Sequence, residues 1–410
     1  MVESLWGRIC QYARENPDTS AILAPDRAAL TYGDLKLLIE RTAETLYSFG
    51  IGHGDRVATL FPFGADGAAL HLALASCAIA LPLDSRASRA EAEQILEASE
   101  CKAIVFPAGV ESDALMAARA RRMVLIELGP DFTLRGAPAI REPRCEWASL
   151  DDVAVVLSTS GTTSKPKLVP LTHRNLAASL GYFEQALGMT GRDRCLNLAP
   201  MFHSLGLISG VFVPIFSGGS TVCLPGAKVS RFFAWVEEFA PTWYSATPAV
   251  HDSILGSAPA NSAEIGRRFL RFARTSSAPM SYELKQRLEL ALGTPVVEVY
   301  GATEAALSVF QPPPPFARKR GSVGIAAGCE VGILGETGEM LPPGETGEVV
   351  LAGPHVMSGY WNDPASSASV FHGRWFRTGD LGLLDEDGYL FLKGRIKEII
   401  NRGGEKDRSG

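Results

Sequence analysis

The sequence predicts an α/β protein: two helix-covered, mainly parallel β-sheet units, followed by a small β-rich barrel unit. Two observations carry this. From residue 35 to residue 299, segments of strand and helix character alternate, the pattern of parallel strands joined by covering helices. After Pro312-Pro-Pro-Pro315 the alternation ends, glycine becomes frequent, and short apolar segments alternate with turns, as in antiparallel strands or a small barrel.

Leu35 to Phe49 carries apolar residues at helical spacing, and Arg56 to Phe61 reads as a strand. The longest apolar tract, Ala68 to Leu83, contains His71 and is too short for a membrane span. It reads as a buried helix running into a strand. A helix over Glu91 to Ser99 precedes the strand Ala103 to Phe106. Asp151 to Leu157 is a buried strand that delivers a hydroxyl-rich loop, and Thr172 can cap a helix from about His173 to Leu187. The loop is therefore expected between a strand end and a helix, where open α/β sheets place ligands. Helices over Val229 to Phe239 and Ser281 to Leu292 alternate with strands at Thr242 to Ser245 and Pro295 to Val299. Beyond the prolines, Gly347 to Leu351 and Gly388 to Leu392 read as short strands, the second entered through the turn Asp387-Gly388. The expected division is 1–170, 171–315 and 316–396, with a hinge and tail at 397–410.

Hydrophobic residues make up 46% of the 410 and charged residues 20%, which indicates a soluble globular chain rather than a disordered or membrane-spanning one. The net charge is −6, from 39 Lys+Arg and 45 Asp+Glu, without a long basic run; nucleic-acid binding has no electrostatic footprint. Seven scattered cysteines, odd in number and never in a C-x-x-C pair, argue against a disulfide framework and a zinc site. Met1 to Asp18, with Glu3, Arg8, Arg14 and Glu15, offers no secretory apolar region. A cytoplasmic location is expected.

The stretch from Leu157 to Lys167 concentrates groups that bind phosphate. Hydroxyls of Thr159, Ser160, Thr162, Thr163 and Ser164, backbone N–H groups freed by Gly161, and the ammonium groups of Lys165 and Lys167 can converge on phosphate oxygens. It lacks the glycine spacing of a Walker A loop, and a polar surface turn is the plain alternative. Four other segments carry chemistry. Ala199 to Gly206 contains His203 beside apolar residues. Tyr300-Gly-Ala-Thr-Glu304 offers an oxygen ligand for Mg²⁺ in Glu304, a phosphate donor in Thr303 and a stacking ring in Tyr300. Arg377-Thr-Gly-Asp380 places a carboxylate that can accept from both hydroxyls of a ribose. Gly394 to Lys406 is a cationic segment closed by two glycines.

In order and spacing these segments resemble the adenylate-forming superfamily of acyl-CoA synthetases, luciferases and nonribosomal-peptide adenylation domains. Leu157 to Lys167 is similar to its phosphate loop, with Ser164 and Leu168 in place of two glycines. Met201 to His203 resembles the aromatic segment gating the acid pocket, Tyr300 to Glu304 its Y-G-x-T-E motif with Gly301 at the turn, and Thr378 to Asp380 its ribose motif. Ser276, Ser277 and Ala278 stand where the family lines the adenine site, and Gly394, Arg395 and Lys397 resemble its hinge. The wording of Trp243 to His251 and Leu168 to His173 is most similar to the oxalate-CoA ligase branch.

The resemblance implies attack of a carboxylate on the α-phosphate of ATP, giving an acyl-adenylate and pyrophosphate, then a thioester with CoA. It implies Mg²⁺ on Glu304, Lys165 or Lys167 over the pyrophosphate, Thr303 on the α-phosphate, Asp380 and Arg395 on the ribose, and His203 beside the acyl carboxylate. The expected partners are a small-molecule carboxylic acid and either CoA or the phosphopantetheine of a carrier protein. Family members continue into a smaller domain after the hinge, whereas here Asp407 to Gly410 end the chain. That domain is expected to be missing, with a separate chain as its possible source and an idle nucleotide-binding protein as the alternative to an enzyme.

Overall fold

The structure, a computed structural model, describes residues 3–25, 27–137, 146–159, 166–226, 228–402 and 405–408, with side chains as far as residue 397. The alternating helices and strands form as the periodicity predicts, their ends displaced by a turn or less. Local chemistry sets the helix starts. Thr31 with Asp34, Ser88 with Glu91 and Thr172 with Asn175 form reciprocal capping boxes that satisfy otherwise orphaned N–H groups. The segment expected as one helix over Val229 to Phe239 divides into a 3₁₀ turn, Val229–Arg231, and an α-helix, Phe232–Phe239.

Two large sheets stack on each other. The seven-stranded sheet is parallel at its centre, through Val124–Leu128, Ala103–Pro107, Arg56–Thr59, Ile79–Pro82 and Val153–Thr159. The nine-stranded sheet is parallel from Val296–Tyr300 through Phe272–Thr275, Trp243–Ala246, Arg194–Asn197 and Ser220–Cys223 to Ser20–Leu23. The strands Ser20–Leu23 and Leu30–Thr31 thus join the second sheet although they precede the first in sequence. Between the sheets lies the helix Ala65–Cys77, buried at every position from Gly67 onward and touching strands of both. A helix apolar on all faces needs such a place, which explains the apolar tract around His71.

One sequence expectation is corrected here. The hydroxyl-rich segment does not run straight into the helix His173–Leu187, because Lys167–Thr172 forms an edge strand antiparallel to Val153–Thr159. Buried Leu168, Val169 and Leu171 complete the sheet, and Pro170 is tolerated because an edge strand leaves one side unpaired. The helix N-terminus therefore stands a strand's length from Lys167.

Past the prolines, Glu330–Leu334, Gly347–Ala352, Trp375–Leu384, Phe371–His372 and Leu390–Arg395 form a five-stranded antiparallel sheet, as the glycine-rich turns predict. Among the described residues no helix is long and apolar enough to cross a membrane, and no disulfide joins two of the six described cysteines.

Candidate active site

The nine-stranded sheet contains a topological switch. From the strand Arg194–Asn197 the chain passes to Ser220–Cys223 on one side, then to Trp243–Ala246 on the other. Connections leaving in opposite directions open a crevice at the carboxyl ends of the strands, where such sheets bind ligands. Beside it the strand Val296–Tyr300 ends at Gly301. A Cβ at Gly301 would overlap the carbonyl oxygen of Ala306, so only glycine lets the chain fold back into the 3₁₀ turn Thr303–Ala305. The N–H of Ser308 then donates to the carbonyl of Tyr300 at 3.2 Å. Thr303 and Glu304, both partly exposed, are held on this turn.

Glu304 Oε1 accepts a hydrogen bond from the hydroxyl of Tyr360 at 2.8 Å, and its carbonyl accepts from the N–H of Met357 at 2.8 Å. Burial, then the charge of Glu304, raises the pKa of Tyr360 far above the phenolic range. Tyr360 therefore remains a donor. The ammonium of Lys167 lies 4.6 Å from the centroid of the Tyr360 ring, an attractive cation–π placement. The described residues contain no group of three or more His, Cys, Asp or Glu able to hold a metal ion. A single oriented carboxylate fits Mg²⁺, which binds through one or two carboxylates together with substrate phosphates and water.

On the other side of Gly301, the hydroxyl of Tyr300 donates to Asp380 Oδ2 at 2.8 Å, and Arg395 Nε donates to Asp380 Oδ1 at 2.8 Å. Asp380 and Arg395 face each other in register across adjacent strands. The N–H of Asp380 donates to Thr378 Oγ1 at 3.1 Å, and that hydroxyl donates to the carbonyl of Val349 at 2.7 Å. Gly379 supplies the left-handed φ of 74° this turn needs. Burial raises the Tyr300 pKa well above its ordinary value, so its proton stays in the cluster.

Ser276, Ser277 and Ala278 follow the strand Phe272–Thr275, which pairs with Val296–Tyr300, so they leave the sheet beside Tyr300. Ser277 adopts φ 73°, an uncommon conformation for a non-glycine residue and one concentrated at functional sites. Thr159 stands opposite Lys167 in the hairpin, its hydroxyl donating to the Lys167 carbonyl at 3.5 Å. Ser160, Gly161, Thr162, Thr163, Ser164 and Lys165 lie outside the described residues.

His203 is exposed and packs on Phe202, with ring centroids 4.3 Å apart. It makes no hydrogen bond to Thr303 or Glu304 among the described residues. Its charged neighbours are Asp84 and Arg86, an ion pair at 3.1 Å. Desolvation lowers the His203 pKa, Asp84 opposes the shift and Arg86 adds to it, so the imidazole is neutral near pH 7. The N–H of Met201, two residues earlier, donates to the carbonyl of Pro62 at 2.8 Å. This bond ties the segment to the seven-stranded side. Sequence reasoning missed Tyr360, Asp84 and Arg86. Ser358-Gly-Tyr-Trp361 carries a signal for the first, an aromatic pair after a glycine beyond a strand, whereas nothing local marks the other two.

A crevice at a topological switch, faced by a carboxylate suited to Mg²⁺ and by an Asp–Tyr–Arg cluster, defines a nucleotide-dependent α/β enzyme. The model of the AMP-binding enzyme family matches residues 10–361, and the chain belongs to this family of adenylate-forming enzymes. It is 39% identical to the probable CoA ligase CCL9 of Humulus lupulus over 98% of this chain and 79% of that protein. It is 37% identical to the oxalate–CoA ligase of Arabidopsis thaliana over 98% of this chain and 81% of that one. The crystal structure of ATP-bound MatB from Rhodopseudomonas palustris superposes with a TM-score of 0.89 at 27% identity, covering 100% of this chain and 82% of MatB.

Proposed function

We propose that this protein activates a small carboxylic acid with ATP and passes the acyl group to CoA. One observation carries the reading. The Glu304–Tyr360 pair and the Tyr300–Asp380–Arg395 cluster stand on the two sides of a single glycine-closed turn. A carboxylate needing a cation and a carboxylate able to accept two hydroxyls are thereby held at a spacing the backbone sets.

A carboxylate oxygen attacks the α-phosphorus of ATP, the bond to the pyrophosphate oxygen breaks, and the acyl-adenylate forms. The thiol of CoA then attacks the acyl carbon and AMP leaves. Bringing one anion to another is opposed by charge, and positioned donors lower that barrier most where water is excluded. Glu304 would hold one Mg²⁺, whose charge offsets that of the phosphate oxygens. Thr303 donates to the α-phosphate, and Asp380 with Arg395 receives the ribose. Ser276, Ser277 and Ala278 border the adenine, and Tyr300 closes that side. Thr159 and Lys167, with Ser160, Gly161, Thr162, Thr163, Ser164 and Lys165 between them in sequence, take the pyrophosphate end. Neutral His203 donates to the acyl carboxylate without quenching its nucleophilicity. The CoA ligases among the relatives favour CoA over a carrier-bound thiol.

The test is exchange of labelled pyrophosphate into ATP across a panel of carboxylic acids, followed by addition of CoA. Acid-dependent exchange supports the reading; binding of ATP without exchange for any acid rejects it.

A further inference from the structure

Residues 353–360, between the strand Gly347–Ala352 and the helix Pro364–Ser369, form neither helix nor strand. No ladder satisfies their backbone groups, which must find partners elsewhere. Asn175 Nδ2 donates to the carbonyls of Pro354 and Val356, both at 2.8 Å. The buried ring of His355 places Nε2 3.1 Å from the hydroxyl of Ser308. The N–H of Met357 donates to the carbonyl of Glu304, and the N–H of Trp361 to the carbonyl of Leu168, both at 2.8 Å. Since Tyr360 donates to Glu304 Oε1, this one segment holds Glu304 by main chain and side chain together.

Asn175 pins the start of the segment while serving a second task. Its Oδ1 accepts from the N–H and the hydroxyl of Thr172, at 2.9 and 2.8 Å, in the capping box that opens the helix His173–Leu187. The other two capping boxes of the described residues use a carboxylate at the same position, Asp34 and Glu91. Only the box that faces two carbonyls uses an amide. A carboxylate caps equally well but cannot donate, whereas an amide offers an acceptor oxygen and two N–H donors on one planar group. Capping alone therefore does not account for asparagine at 175; the bonds to Pro354 and Val356 do.

We propose that Asn175 is a positioning residue for acid activation: through residues 353–361 it fixes the direction of the Glu304 carboxylate, and with it the affinity for the divalent cation. The inference rests on the metal role given to Glu304 above. A segment without ladder bonds keeps its place only while its few pinned points hold. Releasing two carbonyls at its start loosens Tyr360 further along, and Glu304 regains rotamers that binding of a cation must freeze again.

Asn175→Asp separates the two tasks, because a carboxylate still accepts from Thr172 but gives nothing to Pro354 and Val356. In the ligand-free protein, amide hydrogen exchange over residues 353–361 and 303–305 is expected to quicken about tenfold, with the helix His173–Leu187 unchanged. With a non-hydrolysable ATP analogue present, the Mg²⁺ concentration giving half the full rise in melting temperature should increase about tenfold, as in Tyr360→Phe. The double variant should be no worse than either single one, since both act through one carboxylate. In pyrophosphate exchange the KM for the acid should not move. If Asn175→Asp does not fold, Asn175→Ser, too short to reach both carbonyls, decides by the same measurements. A lower melting temperature with unchanged hydrogen exchange at 303–305, or with an unchanged Mg²⁺ requirement, is the result of a helix cap alone and overturns the proposal. A double variant about a hundredfold worse also overturns it, because the two residues would then act separately. Failure of the metal reading is distinct: Mg²⁺ then adds nothing to the melting temperature of the native protein with the analogue, while hydrogen exchange at 303–305 still decides whether Asn175 holds Glu304.

Discussion

Tyr360 donates its hydroxyl proton to Glu304 Oε1 across 2.8 Å, although the two residues are 56 apart in sequence. The contact orients the carboxylate proposed to hold Mg²⁺, and Lys167 over the Tyr360 ring holds the donor in turn. A carboxylate that keeps one oxygen in a fixed hydrogen bond loses less rotamer freedom when a cation arrives.

Tyr360→Phe removes that bond and little else. The Mg²⁺ concentration for half-maximal pyrophosphate exchange is expected to rise about tenfold, the equivalent of one hydrogen bond to a charged group, with kcat recovered at saturating Mg²⁺. Titrating exchange against Mg²⁺ checks it, and an unchanged requirement contradicts the positioning role.

Glu304→Ala removes the carboxylate itself. Acid-dependent pyrophosphate release should fall beyond detection at any Mg²⁺ concentration while the melting temperature changes little, since Glu304 is partly exposed. Near-normal release would refute the metal role.

Asp380→Asn retains the shape but weakens acceptance from Arg395 and Tyr300. The KM for ATP should rise about tenfold, with the KM for the acid unchanged. Initial rates at varied ATP concentrations give the answer.

Gly301→Ala forces a Cβ into the Ala306 carbonyl oxygen. Overpacking against backbone is expected to cost about 3 kcal/mol, seen as a lower melting temperature together with lost exchange. A variant that melts normally would show that the turn has another route.

Burial holds His71 at about 3, and His251 and His355 at about 4, against an ordinary 6.5. The folded values lie below the unfolded one, so between pH 6.5 and 4 the unfolded chain binds more protons. Stability is therefore complete above about pH 6.5 and declines as pH falls, by about 1.4 kcal/mol per unit for each histidine fully in that window. Urea unfolding at pH 7, 6 and 5 measures the slope; a flat profile contradicts it.

Much of this was legible because it is local. The run Tyr300 to Glu304 follows an apolar strand, so its chemistry had to emerge at a strand end, and the structure places it there. The family resemblance implies one ribose for Asp380 and Arg395, a role still to be tested; the two side chains meet across neighbouring strands. The edge strand Lys167–Thr172 has no such local mark: in sequence the loop from Leu157 to Lys167 reads as leading to the helix, because a six-residue edge strand containing Pro170 resembles a connection until its partner strand is known.

The sequence by itself determined the helices, the strands and the change of character after the proline run, since periodicity, capping and turn chemistry depend on residues a few positions apart. Tertiary structure decided which strand lies beside which, that Tyr360 bonds Glu304 and Lys167 lies over the Tyr360 ring, that His203 faces Asp84 and Arg86, and that Arg274 is buried without a counter-charge among the described residues. Those relations join residues brought together only when sheets stack, and the energy of a charge or hydrogen bond is set by what surrounds it, which no local pattern encodes.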